Sequence, residues 1–449
     1  MSNLGQALRQ PLERIRPDET LPVEVDVVVV GGGIAGCSTA WELARAGVKV
    51  ALLEKGLVGA EQSSRNWGWC RQQGRDPKEL ELARLSLQIW PELSAQLERD
   101  VGFRACGVTF LTESEAELGA WRTWKEMAAG YGVKSELLSA EQARRRMPGG
   151  TTGAWVGGLT TAEDGRAEPG RVAPYMAMAA QKLGAVVAEQ CAVDGVETAN
   201  GRVAAVVTER GRIACASVVV AGGAWTRLFL RKLGVAFPQA YVYGSVSRVQ
   251  SDGTRMEDCI ATPYFAVRER TDGGFTVAKS GRGTVYLTPA LLRQGWRFWP
   301  TYQVRRKNVS LSLARFWEEW RMERDYLVRG ISPFSSHRIL DPEPDMDLLN
   351  DAVRRAGEMF PALSRSTIQS AWGGCIDSTP DAVPVMSGIQ ALPGLYVASG
   401  FSGHGFGLAP GVGRAMASLV QGKPAPIDMT PFSHARMLDG RRLAPYLLL

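Results

Sequence analysis

Short, unbroken apolar runs alternate along this chain with stretches of helical spacing, and three of the runs end in glycine. Val25–Val30 (VDVVVV) is β-branched and almost wholly apolar, the pattern of a strand buried on both faces in a parallel sheet. Ile34–Ala46 has helical spacing and Lys49–Leu53 (KVALL) reads as the next strand, so the chain opens on a β-α-β unit. A polar, Trp-rich loop over Ser63–Arg75 precedes a helix near Pro77–Asp100. Residues 101–150 alternate short strands with charged helices. Arg171–Leu183 reads as a helix, and Ala185–Glu189, Arg202–Thr208 and Ile213–Val220 as strands. Residues 236–330 are rich in arginine and aromatics, with alternating runs that predict an antiparallel sheet and a helix over Gln303–Arg321. Leu395–Ala398 is another apolar strand, followed by a helix over Pro410–Val420. The glycine junctions at Val30, Val220 and Ala398 are far apart in sequence. They predict one shared parallel sheet, with the intervening stretches forming a second layer.

Composition narrows the class. Of 449 residues, 45% are hydrophobic and 22% charged, which excludes a disordered chain. The 50 glycines have no three-residue period, which excludes collagen. No apolar run approaches the ~18–20 residues that span a bilayer. The net charge of +6 is spread over short clusters such as Arg144–Arg146, so nucleic acid is not an expected partner. Seven cysteines, an odd number without a CxxC pair, suggest reduced thiols in a cytoplasmic protein. The first twenty residues lack the apolar core of a signal peptide. Three histidines without ligand spacing give no expectation of a metal.

The first glycine junction carries chemistry. Gly31-Gly32-Gly33-Ile34-Ala35-Gly36 supplies G-x-G-x-x-G between a strand and a helix, and Glu54 ends the next strand 18 residues after Gly36. The glycines allow a tight turn, backbone approach to a pyrophosphate and close helix–strand packing, while the acid reaches a ribose hydroxyl. The dinucleotide is NAD or FAD on this motif alone. The single copy of the motif and the glycine-rich SGFSGHGFGLAPGVGR (Ser399–Arg414) favour FAD, as does the strand SVVVAGGAW, which resembles the strand and small-residue turn that closes over FAD in flavin enzymes. A helix entry of that kind places N–H donors on the flavin edge that becomes negative on reduction. His404 interrupts what would otherwise be G-x-S-x-G, so a serine-hydrolase elbow is not supported.

GGGIAG, SSRNWGW, AGGAW, WGGCIDSTPDAVP and SGFSGHGFGLAPGVG together resemble the D-amino-acid oxidase-type superfamily of FAD enzymes, over Val23 to about Gly422. The resemblance implies an α/β fold with α+β insertions. A Rossmann-like FAD domain would combine residues 20–100, 151–235 and 341–425. A substrate domain with a large mixed, mainly antiparallel sheet would take 101–150 and 236–340, and 1–19 would be an N-terminal extension. It implies cofactor contacts from Gly31, Gly33, Ile34, Ala35, Gly36, Glu54, Lys55, Ser63, Ser64, Arg65, Asn66, Trp67 and Gly68. Val193, Ala221, Gly222, Trp225, Gly374, Asp377, Gly400, Gly403, His404, Gly405, Phe406 and Gly407 complete that set. The implied chemistry is oxidation of an amino acid or N-substituted amino acid, by hydride transfer from the amine-bearing carbon to flavin N5, with O2 as the acceptor. The alternative acceptor is a quinone or partner protein, as in dehydrogenases and multi-subunit relatives.

The family pattern also breaks. Aligned on Thr379-Pro380-Asp381, Ile376 and Asp377 stand where glycine oxidase-like relatives carry an Arg-Pro pair that clamps the substrate carboxylate. Gly407 replaces a second carboxylate-binding lysine. The remaining candidates for the clamp are Arg71, Arg282 and Arg338, and Asp377 is a candidate partner for a cationic substrate group. Cys375 lies one residue too close to the Thr-Pro-Asp for the flavin tether of sarcosine oxidases. A one-residue slip turns a side chain to the other face of a strand, so FAD is expected to bind non-covalently. Lys279 lies near where some relatives place a lysine that promotes O2 reaction. Trp296, Phe298, Trp299 and Tyr302 are candidates for an apolar substrate pocket or for core packing. Oligomeric state is not readable from the sequence.

Overall fold

The structure is a computed structural model and describes residues 8–147, 153–250, 253 and 255–446. The start of the expected N-terminal extension (1–7) and the expected domain boundary near residue 150 lie outside the described residues.

The strands that end in glycine do share a sheet. Strand Glu24–Val30 lies parallel between Val50–Leu53 and Gly211–Val220, and Leu395–Ser399 adds in parallel beyond the last of these. Val30 pairs with Val220, and Val220 with Val397, so the three junctions end level at one edge of the eight-stranded sheet. That level ending is what gathers the glycines of three distant segments into one place. Val28, Val29, Leu52, Val218, Val219 and Val397 are fully buried, as expected of strands covered on both faces. One face is covered by helices Ile34–Arg45, Leu80–Gln96, Pro169–Lys182 and Gly405–Val420.

A ten-stranded sheet forms the second layer, mainly antiparallel. Its longest pairing joins Ala240–Val249 to Ile368–Ser378, from Ala240 opposite Ser378 to Val249 opposite Ile368. Strands Val108–Thr112 and Ser135–Ser139 belong to it, as do Gly157–Thr161 and Ile368–Ser378 from ranges assigned above to the cofactor domain.

Two elements differ from the sequence reading. The helix expected over Gln303–Arg321 is instead helix Pro289–Arg305, strand Val309–Ser312 and helix Phe316–Arg329. Pro289 stands in the first turn, and the Thr288 hydroxyl caps Leu291 N at 3.1 Å. Val309–Ser312 alternates and pairs in parallel with Gly283–Tyr286, so the sheet claims residues inside the expected helix. The last long helix begins at Gly405, five residues before the expected start. Gly407, Gly411 and Gly413 are buried inside the helix, against neighbouring elements. A Cβ on Gly411 would stand 2.6 Å from Ser86 Oγ, and one on Gly413 2.1 Å from Ser38 Oγ.

Candidate active site

The level ends of the parallel strands open into one continuous cavity. Its walls include Gly31, Gly33, Ile34, Ala35, Glu54, Lys55, Ser63, Asn66, Val193, Ala221, Gly222, Trp225, Asp377, Gly403, Gly405 and Phe406. Segments more than 370 residues apart in sequence therefore meet at one site.

The turn after Val30 is built as the motif requires. Gly31 has φ +108°, and a Cβ there would lie 2.5 Å from Ala221 O. Only glycine combines that dihedral with that approach. The Glu54 carboxylate accepts from Gly32 N and Gly56 N, each at 2.7 Å. Burial pushes its pKa up, opposed by Lys55 and the backbone donors. Helix Ile34–Arg45 starts without a side-chain cap on its N-cap residue, Gly33, and Ser63 Oγ accepts from Ile34 N at 2.8 Å. At the other end of the cavity helix Gly405–Val420 also starts uncapped, on His404. Two helix N-termini thus face one cavity, the arrangement that suits a pyrophosphate and the electron-rich flavin edge. Gln62 Oε1, buried on the wall, has no partner within the protein. Donor set, close backbone approach and unmet polar groups all fit an FAD.

Other expected contacts stand behind the walls. Arg65 is buried in an ion pair with Asp341 at 2.6 Å, and it also donates to Gly373 O and Ala60 O. It holds the loop that carries Ser63 and Asn66. Ser64 receives a bond from Gln10, and the carbonyl of Trp67 accepts from Arg268 Nε. A Cβ on Gly68 would meet Ala167 O at 2.5 Å, and one on Gly374 would meet Gln62 Oε1 at 2.4 Å. Gly36 packs against Gly31 O, Gly400 against Thr379, and Gly407 against Trp69 O and Cys70. These glycines shape the site without lining the cavity. Asp377 lines it, but its carboxylate already accepts from Gly400 N at 2.6 Å and Ser399 Oγ at 3.1 Å, with burial raising its pKa to about 6. It fixes the Gly400 turn.

Cys375 does line the cavity, beside Ala224 and Tyr241, contrary to the expectation that it faces away. Its thiol is buried, and burial pushes its pKa far up. Lys279 does not line the cavity. Its ammonium pairs with Asp351 at 2.7 Å on helix Met346–Met359. Trp296 and Trp299 are in neither pocket nor core, for both are exposed.

Arg71 occupies a different kind of place. Its backbone abuts the first turn of helix Gly405–Val420, 3.3 Å from the position of a Cβ on Gly407. Its guanidinium donates to Gln73 O and stacks 5.4 Å from the Phe110 ring centroid. Arg75 stands next to it, with Nη1 buried and unpartnered. Burial, then the charge of Arg75, lower the Arg71 pKa to about 9. Arg305, from the end of helix Pro289–Arg305, adds a third positive charge felt by Arg71, and burial lowers its pKa too. None of these three makes a carboxylate ion pair within the protein among the described residues. The nearby acids are otherwise engaged. Asp164 accepts from Gln72 N at 2.9 Å and Gln73 N at 3.0 Å, and burial lifts its pKa to about 7. Glu79 accepts from His404 Nδ1 at 2.9 Å. Burial, then Arg75, lower the His404 pKa to about 4, so its ring is neutral at pH 7 and serves to orient the helix entry. Arg282 is exposed, and Arg338 is paired with Glu209 at 2.6 Å, which leaves Arg71 as the unsatisfied member of the expected three. Arg75, Glu79, Asp164 and Arg305 were not singled out from sequence. The R-x-x-x-R-x-x-x-E spacing of Arg71, Arg75 and Glu79 was visible, but nothing in it marked one face as buried.

The chain has many relatives. It is 26% identical to 4-methylaminobutanoate oxidase (formaldehyde-forming) of Paenarthrobacter nicotinovorans, over 92% of this chain and 46% of that protein. It therefore spans less than half the length of that relative. It is 25% identical to glycine oxidase of Geobacillus kaustophilus, over 92% of this chain and 97% of that one. Its structure superposes on L-amino acid deaminase from Proteus myxofaciens, solved with anthranilate, with a TM-score of 0.90 at 28% identity, covering 95% of this chain and 97% of that one. The model of the FAD-dependent oxidoreductase family DAO matches residues 26–419. With that match spanning the glycine turn, the shared sheet and the uncapped helix entry, the chain belongs to the DAO family of FAD-dependent oxidoreductases.

Proposed function

We propose that this enzyme oxidises the C–N bond of an amino acid or N-substituted amino acid. The observation that carries the proposal is the cluster of buried Arg75 with half-buried Arg71 and Arg305, none of them ion-paired to a carboxylate among the described residues, against the helix entry that ends the cofactor cavity. Buried guanidinium groups left unpaired are costly, and a substrate carboxylate is the ion that relieves them. The relatives named above include an amine oxidase, an amino-acid oxidase and an amino-acid deaminase, which supports the same class.

Bound FAD would supply the two-electron acceptor for a hydride from the amine-bearing carbon. The protein's residues position and tune. Gly31 and Gly33, with the start of helix Ile34–Arg45, would hold the pyrophosphate, and Glu54 the ribose. The free amides of the first turn after His404 would face the flavin edge, where negative charge grows on reduction. Arg71 would hold the carboxylate, and neutral His404, anchored on Glu79, would keep that turn in place. No acid–base pair is needed if the amine enters neutral. The resulting imine would be released to hydrolyse.

FAD is proposed to be non-covalent, because burial and the neighbouring carboxylates of Glu61 and Asp377 hold the Cys375 thiol protonated against the opposing bond from Tyr243. Acid precipitation should leave the flavin in the supernatant. Flavin that stays with the pellet would overturn this. Lys279, neutralised by Asp351, gives no support to an O2-activating role. That placement favours the second acceptor reading, a quinone or partner protein. A cytoplasmic location remains the proposal, on seven unpaired cysteines. No helix among the described residues is long and apolar enough to cross a membrane. The deciding experiment is anaerobic addition of amino acids and amines of both hands, followed by the visible absorbance of the flavin. Bleaching by an amino acid but not by its decarboxylated amine supports the reading. Equal bleaching by both removes the carboxylate site from it.

A further inference from the structure

The segment from Pro289 to Ile331 differs from the rest of the surface. Of the sixteen large hydrophobic side chains that stand exposed among the described residues, ten fall between Leu292 and Ile331. The same segment carries nine arginines and lysines against four acids, so five of the chain's six net positive charges reside there. Single exposed hydrophobics need no explanation, but a concentration of this kind on one unit does.

The exposed side chains are ordered. Leu292, Trp296 and Trp299 fall at i, i+4 and i+7 of helix Pro289–Arg305, one stripe of that helix. Trp317, Trp320 and Val328 lie along one stripe of helix Phe316–Arg329, with Trp317 at 64% exposure and Val328 at 78%. Cations accompany the indoles. The Arg297 guanidinium sits 4.3 Å from the Trp296 ring centroid, and that of Arg324 sits 4.9 Å from Trp320. Arg306 and Lys307 cap the turn between the helices and are exposed. The unit is held rather than loose. Arg293 joins Glu323 across the two helices at 2.6 Å, and Arg297 donates to Met437 O at 2.5 Å. Thr301 donates to Pro380 O.

Exposed tryptophan with arginine on amphipathic helices is the composition of a membrane interface, where the ring takes the headgroup level and the cation meets lipid phosphate. The net charge selects an anionic surface. We propose that this unit seats the protein on an anionic lipid bilayer, with the indoles at headgroup depth. The first of its helices ends at Arg305, whose charge is felt by Arg71. Neither the substrate nor the acceptor enters the argument for the docking surface, so it stands or falls apart from the proposed reaction.

The test is co-sedimentation of the holoenzyme with vesicles of phosphatidylglycerol and phosphatidylcholine, or of phosphatidylcholine alone. Binding is expected to the anionic vesicles, to weaken in high salt, and to be at least ~10-fold weaker on phosphatidylcholine. Trp296→Ala/Trp299→Ala/Trp317→Ala should lower partitioning by at least ~10-fold, and so should Arg306→Glu/Lys307→Glu, which keeps every indole. All these residues are exposed, so both variants should retain FAD and substrate-dependent bleaching, which is measured separately. Holoenzyme that stays in the supernatant with anionic vesicles at low salt overturns the proposal. So does binding equal to the parent's in both variants. A dimer that the triple Trp variant dissolves, without vesicle binding by the parent, would assign the surface to a second copy of this chain instead.

Discussion

Gly413→Ala tests whether the late glycines serve the cofactor or the packing of helices. A Cβ at Gly413 would stand 2.1 Å from Ser38 Oγ, 2.6 Å from Ser38 O and 2.7 Å from Ser38 C. The first contact can be relieved by rotating a hydroxyl, at the expense of its 2.8 Å bond to Ala409 O, worth about 1 kcal/mol. The other two are backbone of helix Ile34–Arg45 and cannot be relieved without moving one helix from the other. Overpacking of this kind costs about 1–3 kcal/mol. Alanine regains about 1 kcal/mol over glycine inside a helix. The net expectation is a loss of ~1–3 kcal/mol in the folded apoprotein. Urea unfolding followed by tryptophan fluorescence measures it. FAD titration of the same variant should give a dissociation constant within about threefold of the parent's, since a 0.6 kcal/mol change is the most that a displaced neighbouring helix is asked to transmit. Gly31→Ala provides the contrast. Its Cβ would enter Ala221 O at a φ of +108°, in the turn that faces the cofactor, so FAD affinity should collapse there. If Gly413→Ala keeps the parent's stability but loses FAD, the assignment of the late glycines to helix packing is refuted.

The remaining expectations concern the site. Arg71→Lys should raise KM for an amino acid by roughly 30- to 100-fold, the loss of a charge-assisted pair of bonds worth about 2–3 kcal/mol, while leaving an amine lacking the carboxylate unaffected. A kcat loss without a KM change would sink the clamp. Asp164 has a folded-state pKa of about 7 against an ordinary 3.8, so the folded protein holds the extra proton and loses stability as pH rises between those values. Asp164→Asn should therefore gain on the parent across that window and run parallel to it above, as read from urea midpoints at each pH; a constant offset would contradict the burial argument. His404 has the opposite sign, because a pKa lowered from 6.5 to about 4 makes stability rise with pH over that range, so His404→Asn should remove a rise. Lys279→Met breaks a part-exposed pair with Asp351, which keeps Arg354 at 2.7 Å, so the cost is at most ~1 kcal/mol. The rate of flavin reoxidation by O2 should not change, and a tenfold fall in a stopped-flow trace would return Lys279 to the flavin.

Local patterns were enough for the cofactor half of this protein. A fully apolar β-branched strand, a glycine turn and an acid at the end of the next strand form one short-range unit, and each member's role follows from backbone dihedral and hydrogen-bonding needs within about thirty residues. The glycine junctions at Val220 and Ala398 were legible for the same reason, and the sheet joins them in register as expected. Other roles depend on what packs from elsewhere. Gly407, Gly411 and Gly413 look like their cavity-lining neighbours in sequence, yet they lie against Trp69, Ser86 and Ser38, contacts more than 300 residues away. Arg65 reads as a cofactor residue beside Ser63, but Asp341 and Gly373 claim its guanidinium. Lys279 reads as a catalytic cation until helix Met346–Met359 brings Asp351 to it.

The division has a physical cause. A turn's backbone geometry is decided by the few residues in it, so the sequence alone determined the glycine turn at Gly31–Gly36 and the strand and helix that flank it, the place proposed here for a dinucleotide. The state of a charge is decided by burial and by the nearest opposite charge, both set by chain segments remote in sequence. Only the tertiary structure could therefore decide that Arg71, Arg75 and Arg305 converge without an ion pair to a carboxylate among the described residues, that Lys279 is paired with Asp351, and that the aromatic stretch after Pro289 faces outward with most of the chain's net charge.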